Sequence, residues 1–357
     1  MEQQNEHIAM LDLMFRPAFL VEKGLITHVN PPARQYLLRP GMPVASLLCH
    51  GLEEYEAFTL GQLYLQMHLG GQRIGATVMA TQWGHVFLPE QAQTLPQLQA
   101  MALAASQLRM PLTGAMSATE QIFAQLTDPA MQEMAAQTNR RLLQLQRIVG
   151  NMSDALLYAQ ESEGSLEYTR VDTFLAQLLE KSAATLEKAG RTLICHLPCE
   201  PIYTLVDQQK LERAVLNMLS NALKASPAQS PIQFWLQQTG KIIRLSVVDQ
   251  GQDWAQVGMA GVFSRFLREP ALEDPHCGIG LGMVLMRSVA ALHRGTILLD
   301  RPEDGYNRVT LTLAVQQSKQ TMVRTPILTV DYAGERDSLL LELSDVLPSA
   351  LYASQDL

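Results

Sequence analysis

Three short segments set polar side chains and glycines at spacings that could do chemistry. The first is Asn217-Met218-Leu219-Ser220-Asn221-Ala222-Leu223-Lys224. On a helix, Asn217, Asn221 and Lys224 stand at i, i+4 and i+7 and share one face. An uncharged amide oxygen suits Mg²⁺, which takes oxygen donors and keeps several of its waters. A lysine one turn on meets phosphate as a point charge. The plain alternative is an amphipathic helix carrying two polar Asn. The second segment, Asp249-Gln250-Gly251-Gln252-Asp253, directly follows an apolar run. An Asp at a strand end can accept a hydrogen bond from the exocyclic amine of adenine, and Gly251 lets backbone pass close to the base. A simple strand-to-loop turn would look the same. The third, Gly278-Ile279-Gly280-Leu281-Gly282, opens an apolar helical pattern. Free N–H groups at a helix start, beside glycines, accommodate phosphate. A dinucleotide fold would want a strand just before the glycines, whereas here the preceding residues are acidic and contain Pro.

The elements that would position these segments follow from periodicity. Phe174–Ala189 reads as a helix, Leu193–Leu197 as a short strand, and Asp207–Ala225 as a helix with Asp207 as its N-cap. Leu211, Val215, Met218 and Ala222 make an apolar face that can pack on a sheet. Strands are expected at 231–237, 242–248, 296–300 and 308–315, and a helix over Leu281–Leu292 that Gly295 can end. Residues 166–316 therefore read as a mixed sheet with helices on one face, an α/β sandwich. Upstream, residues 92–165 are rich in Ala, Gln, Met and Leu. One seam runs through Leu98, Met101, Ala105, Leu108, Leu112, Ala115, Thr119, Ile122 and Leu126. A second runs through Met131, Met134, Thr138, Leu142, Leu145, Val149, Met152, Leu156 and Ala159. The spacing predicts two long helices joined at Thr127-Asp128-Pro129. One hairpin cannot bury its own seam, so two chains are expected to pair through 92–165 into a four-helix bundle, making a homodimer. Residues 1–91 read as a small α+β domain, with a hairpin over 18–30 turning at Gly24 and a helix after Pro32. In the tail, 317–357, Pro326–Val330 reads as a strand and Leu339–Leu343 as strand or helix, with no role assigned.

In order and spacing the three segments resemble the N, G1 and G2 boxes of the GHKL (HATPase_c) ATPase superfamily. Val262-Phe263-Ser264-Arg265-Phe266-Leu267-Arg268 resembles the F box of histidine kinases. The resemblance implies ATP and Mg²⁺ as cofactors. It implies Asn221 as principal metal ligand with Asn217 beside it, Lys224 near phosphate, and Asp249 on adenine with Gly251. Gly278, Gly280 and Gly282 would line the lid and phosphate path. Asp253 departs from the family, standing where its second G1 glycine usually lies. The hairpin resembles the HisKA dimerisation and phosphoacceptor domain, whose pattern is S-H-E-L-R-T-P-L. Here it reads Ala105-Ser106-Gln107-Leu108-Arg109-Met110-Pro111-Leu112. Ser106 stands at the acceptor position, and a serine hydroxyl is a weak nucleophile until a base removes its proton. The acid beside the acceptor is Gln107, and amides accept no proton at neutral pH. Met110 cannot orient a water as the family's polar residue does. The N-terminal hairpin, followed by an Asn and short helices, is loosely similar to a PAS domain. That domain is either a ligand-binding sensor or a module without a ligand.

The expected fold is thus α+β and multidomain: a PAS-like domain, a helical hairpin and a GHKL-type sandwich. The expected function is that of an ATP-binding, sensor-histidine-kinase-like protein of a two-component system, degenerate at the acceptor. Its partners would be a histidine kinase or a response regulator, and if active it would be an ATP-dependent protein histidine kinase. The alternative is a non-catalytic dimeric scaffold with a vestigial nucleotide site. Composition narrows other classes. A net charge of −8 without a Lys/Arg cluster argues against nucleic acid. No apolar run is long enough to span a bilayer and no signal-peptide pattern is present, so a cytoplasmic location is expected. Cys195 and Cys199 have no second ligand pair at finger spacing, so no structural metal is expected.

Overall fold

The computed structural model describes residues 8–90, 95–160, 165–251, 281–302, 304–317 and 337–353. Strands β1 (Phe19–Glu22) and β2 (Leu25–Val29) form the expected hairpin. Where a helix was expected after Pro32, the chain makes a 3-10 turn over Pro31–Tyr36. Asn30 anchors it: its side-chain oxygen accepts from the Ala18 and Ala33 amides, and its side-chain nitrogen donates to the Leu11 and Arg16 carbonyls. A short helix α1 (Leu52–Glu56) leads to β3 (Gln62–Leu69), β4 (Gln72–Thr81) and β5 (Gly84–Pro89), giving the order β2-β1-β5-β4-β3.

Two long helices follow, α2 (Leu95–Phe123) and α3 (Pro129–Gln160), with Pro111 inside the first. Asp128 opens α3 by accepting from the Ala130 amide at 3.0 Å. Of the expected seam, Ala105 and Val149 are buried, while Leu108, Ile122, Met131, Met134 and Leu145 are exposed; Met116, Ala135, Ala136 and Leu143, which lie off that seam, are buried as well.

The third unit alternates strands and helices. It comprises β6 (Glu167–Arg170), α4 (Val171–Lys188), β7 (Leu193–His196), β8 (Tyr203–Val206), α5 (Gln208–Ala225), β9 (Ile232–Thr239), β10 (Ile242–Asp249), α6 (Leu281–Leu292), β11 (Ile297–Asp300) and β12 (Asn307–Ala314). The main sheet here is mixed, with β7 and β9 parallel and the other pairs antiparallel, and β6 pairs with β8 separately. One core contains Leu211, Val215, Met218 and Ala222 of α5, together with Phe234, Leu245, Leu285, Val289 and Leu311.

Two joins were not foreseen from the sequence. First, β3 pairs with β11 in antiparallel register, Tyr64 with Ile297 and Gln62 with Leu299, so a single ten-stranded sheet runs through both units. Gly61 makes this approach possible, since a Cβ there would lie 2.1 Å from the Leu299 carbonyl oxygen. Arg287 of α6 reaches the same junction, pairing with Glu90 at 2.5 Å and lying over the Tyr64 ring. Second, the tail folds back. Helix α7 (Ser338–Glu342) and a 3-10 turn at Ser349–Tyr352 bury Leu339, Leu341, Leu343, Leu347 and Tyr352 in the core shared with Met116 of α2 and Leu143 of α3. The 338–342 segment is therefore a helix, and the expected strand at Pro326–Val330 lies outside the described residues.

Candidate functional site

Helix α5 carries the first set of candidate residues. Asp207 caps it, its carboxylate accepting from the Lys210 amide at 3.1 Å. Asn217 is buried at 4% exposure, whereas Asn221 and Lys224 are on the exposed side. The side-chain nitrogen of Asn217 donates to the Arg213 carbonyl at 3.0 Å and to Glu342 at 3.3 Å. Its side-chain oxygen faces Gly282 at the start of α6, where a Cβ would come within 2.5 Å. The bare Cα of Gly282 therefore lets the opening of α6 sit against an amide oxygen of α5.

The Asp249 segment closes on the C-terminal end of the same helix. Asp249, the last residue of β10, is 5% exposed. One carboxylate oxygen accepts from the Gly251 amide at 2.7 Å and from the side-chain nitrogen of Asn307 at 3.1 Å. Burial raises the pKa of this carboxyl, and these two donors work against that rise. A Cβ on Gly251 would meet Asp249 at 2.7 Å, Ala225 at 2.8 Å and Asn307 at 3.0 Å. Asn307, at the first position of β12, was not singled out in the sequence. Its signal is weak, because only pairing of β12 with β10, Asn307 opposite Asp249, brings it here.

The fold thus brings Asn217 to Gly282, and Asp249 with Gly251 to the end of α5. Gly278, Gly280, Asp253 and the 262–268 segment lie outside the described residues. Ser106 and Gln107 are exposed on α2, and the Ser106 hydroxyl donates to the Leu103 carbonyl at 2.8 Å.

The tail supplies neighbours that sequence reasoning missed. Glu342 is 1% exposed, pairs with Arg213 at 3.1 Å and accepts from Asn217. Arg213 also donates to Asn151 of α3 at 2.7 Å. Asp345 accepts from Lys224 and from Arg147 of α3, each at 2.6 Å. Burial acts to raise the Asp345 pKa, but these two cations outweigh it and hold the carboxyl below its usual range. Ser338 donates to buried Glu212, whose carboxyl burial pushes up to about 6. A polar face of α5 that the sequence left to solvent or ligand is in part covered by this segment.

No group of three or more His, Cys, Asp or Glu suited to a metal occurs among the described residues, and no helix among them is long and apolar enough to cross a membrane.

Residues 206–317 match the family of histidine kinase-, DNA gyrase B- and HSP90-like ATPases. The sensor histidine kinase WalK of Bacillus subtilis is 27% identical over 157 residues, covering 43% of this chain and 26% of WalK. The sensor histidine kinase CusS of Escherichia coli K12 is 26% identical over 221 residues, covering 58% of this chain and 44% of CusS. The chain thus spans less than half the length of either relative. Among solved structures, full-length ShkA in complex with AMPPNP is 18% identical over 62% of this chain and 47% of its own, with a TM-score of 0.48. Residues 206–317 carry the ATPase domain shared by histidine kinases, DNA gyrase B and HSP90, in a chain similar to sensor histidine kinases.

Proposed function

We propose that this chain is an ATP-binding, sensor-histidine-kinase-like protein of a two-component system that has lost its own phosphoacceptor. The observation that carries the nucleotide reading is the pairing of Asn217 with the bare Cα of Gly282, beside a buried Asp249 held by Gly251 and Asn307. These are cradles that a Cβ would fill. Asn221, with Asn217 beside it, would hold Mg²⁺ through amide oxygens. Lys224 would meet phosphate, Asp249 would accept from the adenine amine, and Gly278, Gly280 and Gly282 would border the phosphates. The metal, when bound, neutralises phosphate charge.

Loss of the acceptor rests on Ser106. Its hydroxyl is turned to its own helix, and its neighbour Gln107 is no base. Output then runs through ATP-linked conformational change, or through phosphorylation of a partner kinase's histidine in trans, with a response regulator downstream. The exposed stripe of Leu108, Ile122, Met131, Met134 and Leu145 supports pairing of two chains through the hairpin. The hairpin at 18–30 with Asn30 and the turn after it supports a PAS-like sensor unit.

Calorimetric titration with Mg²⁺–ATP tests the reading. The wild type binds, and Asn221→Ala loses binding by at least tenfold, because about 1.4 kcal/mol of metal-linked interaction is removed. Mass spectrometry after incubation with ATP finds no phosphoserine at Ser106. The second reading, a dimeric scaffold with a vestigial site, is favoured by one contact, the pairing of Lys224 with Asp345. Absence of binding at millimolar nucleotide selects it.

A further inference from the structure

The Asp345 carboxylate lies between two cations that belong to different parts of the molecule. Lys224 comes from α5 of the ATPase domain and Arg147 from α3 of the hairpin, each 2.6 Å away. Arg147 is also set in place by the backbone, donating to the Glu342 carbonyl at 2.6 Å. Arg140, two turns earlier on α3, donates to the Ser344 and Asp345 carbonyls. The side chains of Arg147, Lys224 and Asp345 are 13%, 27% and 29% exposed, so the cluster is partly open to solvent. Two converging cations around one carboxylate make a site for an anion, and charge-assisted contacts to phosphate are of the same kind.

We propose that Arg147 and Lys224 form one anion site shared by the hairpin and the ATPase domain, that Asp345 occupies it as a built-in stand-in for phosphate, and that the terminal phosphates of a bound nucleotide compete with Asp345 for it. This rests on the nucleotide reading above and adds Arg147 as a second phosphate ligand. One ammonium cannot serve a carboxylate and a triphosphate at full strength. A triphosphate carries more charge than a carboxylate, but Asp345 is tethered and so acts at high effective concentration. Apparent nucleotide affinity is then reduced by the fraction of molecules in which Asp345 is in place. The apolar residues of α7 and the turn after it need not leave the core, since only the Asp345 contacts are exchanged. Binding of nucleotide would in this way replace a tail-to-hairpin tie with a nucleotide-to-hairpin tie through Arg147.

The test titrates Mg²⁺–ATP into the full chain as wild type, Asp345→Asn, Asp345→Asn with Arg147→Ala, and Glu187→Gln, a surface acid on α4 that controls for net charge. Asp345→Asn tightens binding about three- to thirtyfold, on the order expected for removing a tethered competitor. Adding Arg147→Ala reverses most of that gain, and Glu187→Gln changes nothing. Binding by Asp345→Asn alone, with none by wild type, supports the proposal equally. Unchanged or weaker binding by a folded Asp345→Asn overturns it and leaves the nucleotide reading standing. An equal gain in Glu187→Gln also overturns it. No binding by either wild type or Asp345→Asn overturns both.

Discussion

The two ends of the candidate site are built on different plans. At the Asp249 end, every partner comes from within the ATPase domain. Gly251 is two residues away, Asn307 is opposite in register on the next strand, and Ala225 closes the back. At the Asn217–Lys224 side, Arg213 and Gly282 are joined by partners from elsewhere in the chain: Glu342 and Asp345 from the tail, with Arg147 and Asn151 from the hairpin. The first end is a local device that folds with its domain. The second end is assembled only when three separate stretches of chain meet. On the proposed nucleotide reading, recognition of a base would remain constant while the phosphate side would be open to control by whatever moves the tail or the hairpin.

The largest effect that would break this contrast is on stability. Glu342→Ala removes the tail carboxylate that pairs with Arg213, whose side chain is 5% exposed. Removing one member of a buried pair costs about 3–5 kcal/mol, so urea unfolding shows a large loss. A loss below about 1 kcal/mol would mean that the tail is not integral to this side. The corresponding change at the other end, Asp249→Asn, keeps an acceptor for Gly251 and Asn307 and costs little stability. It lowers Mg²⁺–ATP affinity about tenfold to a hundredfold, as expected for losing a hydrogen bond to a charged group. Calorimetry that finds equal affinity would remove adenine recognition from Asp249.

The smallest effect concerns acid pH, where the two aspartates act with opposite sign. The Asp249 pKa is raised in the fold by burial, so its ionisation costs stability as pH rises from about 3.8 through its higher folded value. The Asp345 carboxyl is held below 3.8, so its contribution is present above 3.8 and lost as pH falls through its lower folded value. Urea unfolding between pH 5 and pH 3 checks this. The stability deficit of Asp345→Asn relative to wild type shrinks as pH falls, while the corresponding difference for Asp249→Asn moves the other way. Parallel trends would show that the two carboxylates are not in distinct environments.

Local chemistry was legible where neighbours in sequence are neighbours in space. The Asp207 cap, the apolar face of α5, the span of α6 and the paired strands β9, β10 and β12 all follow from spacing and turn residues. The end of α6 shows where such reading stops. Gly295 was expected to end the helix by its conformational freedom, yet Arg294 takes the left-handed conformation, with φ of 54°. Gly295 is there for another reason, because a Cβ on it would lie 1.7 Å from the Thr312 carbonyl oxygen on β12. A periodicity argument cannot see that contact, which depends on a strand seventeen positions on.

By itself, then, the sequence determined the two long helices, most helices and strands of the third unit and which residue types share a face along α5, but not β3, β4, β5, β6 or β8. It also set the Ser106 hydroxyl beside Gln107, an amide that is no base. Only the tertiary structure decided that β3 extends the ATPase sheet, that Asn307 holds Asp249, and that Glu342 and Asp345 cover the polar face of α5. The physical reason is range. Helix and strand signals are written in residues two to four apart, whereas the half-buried Asp345 carboxylate meets Lys224 across 121 residues of chain. Such a pair leaves no periodic mark, because burial and charge complementarity depend on where the intervening chain folds, not on its spacing.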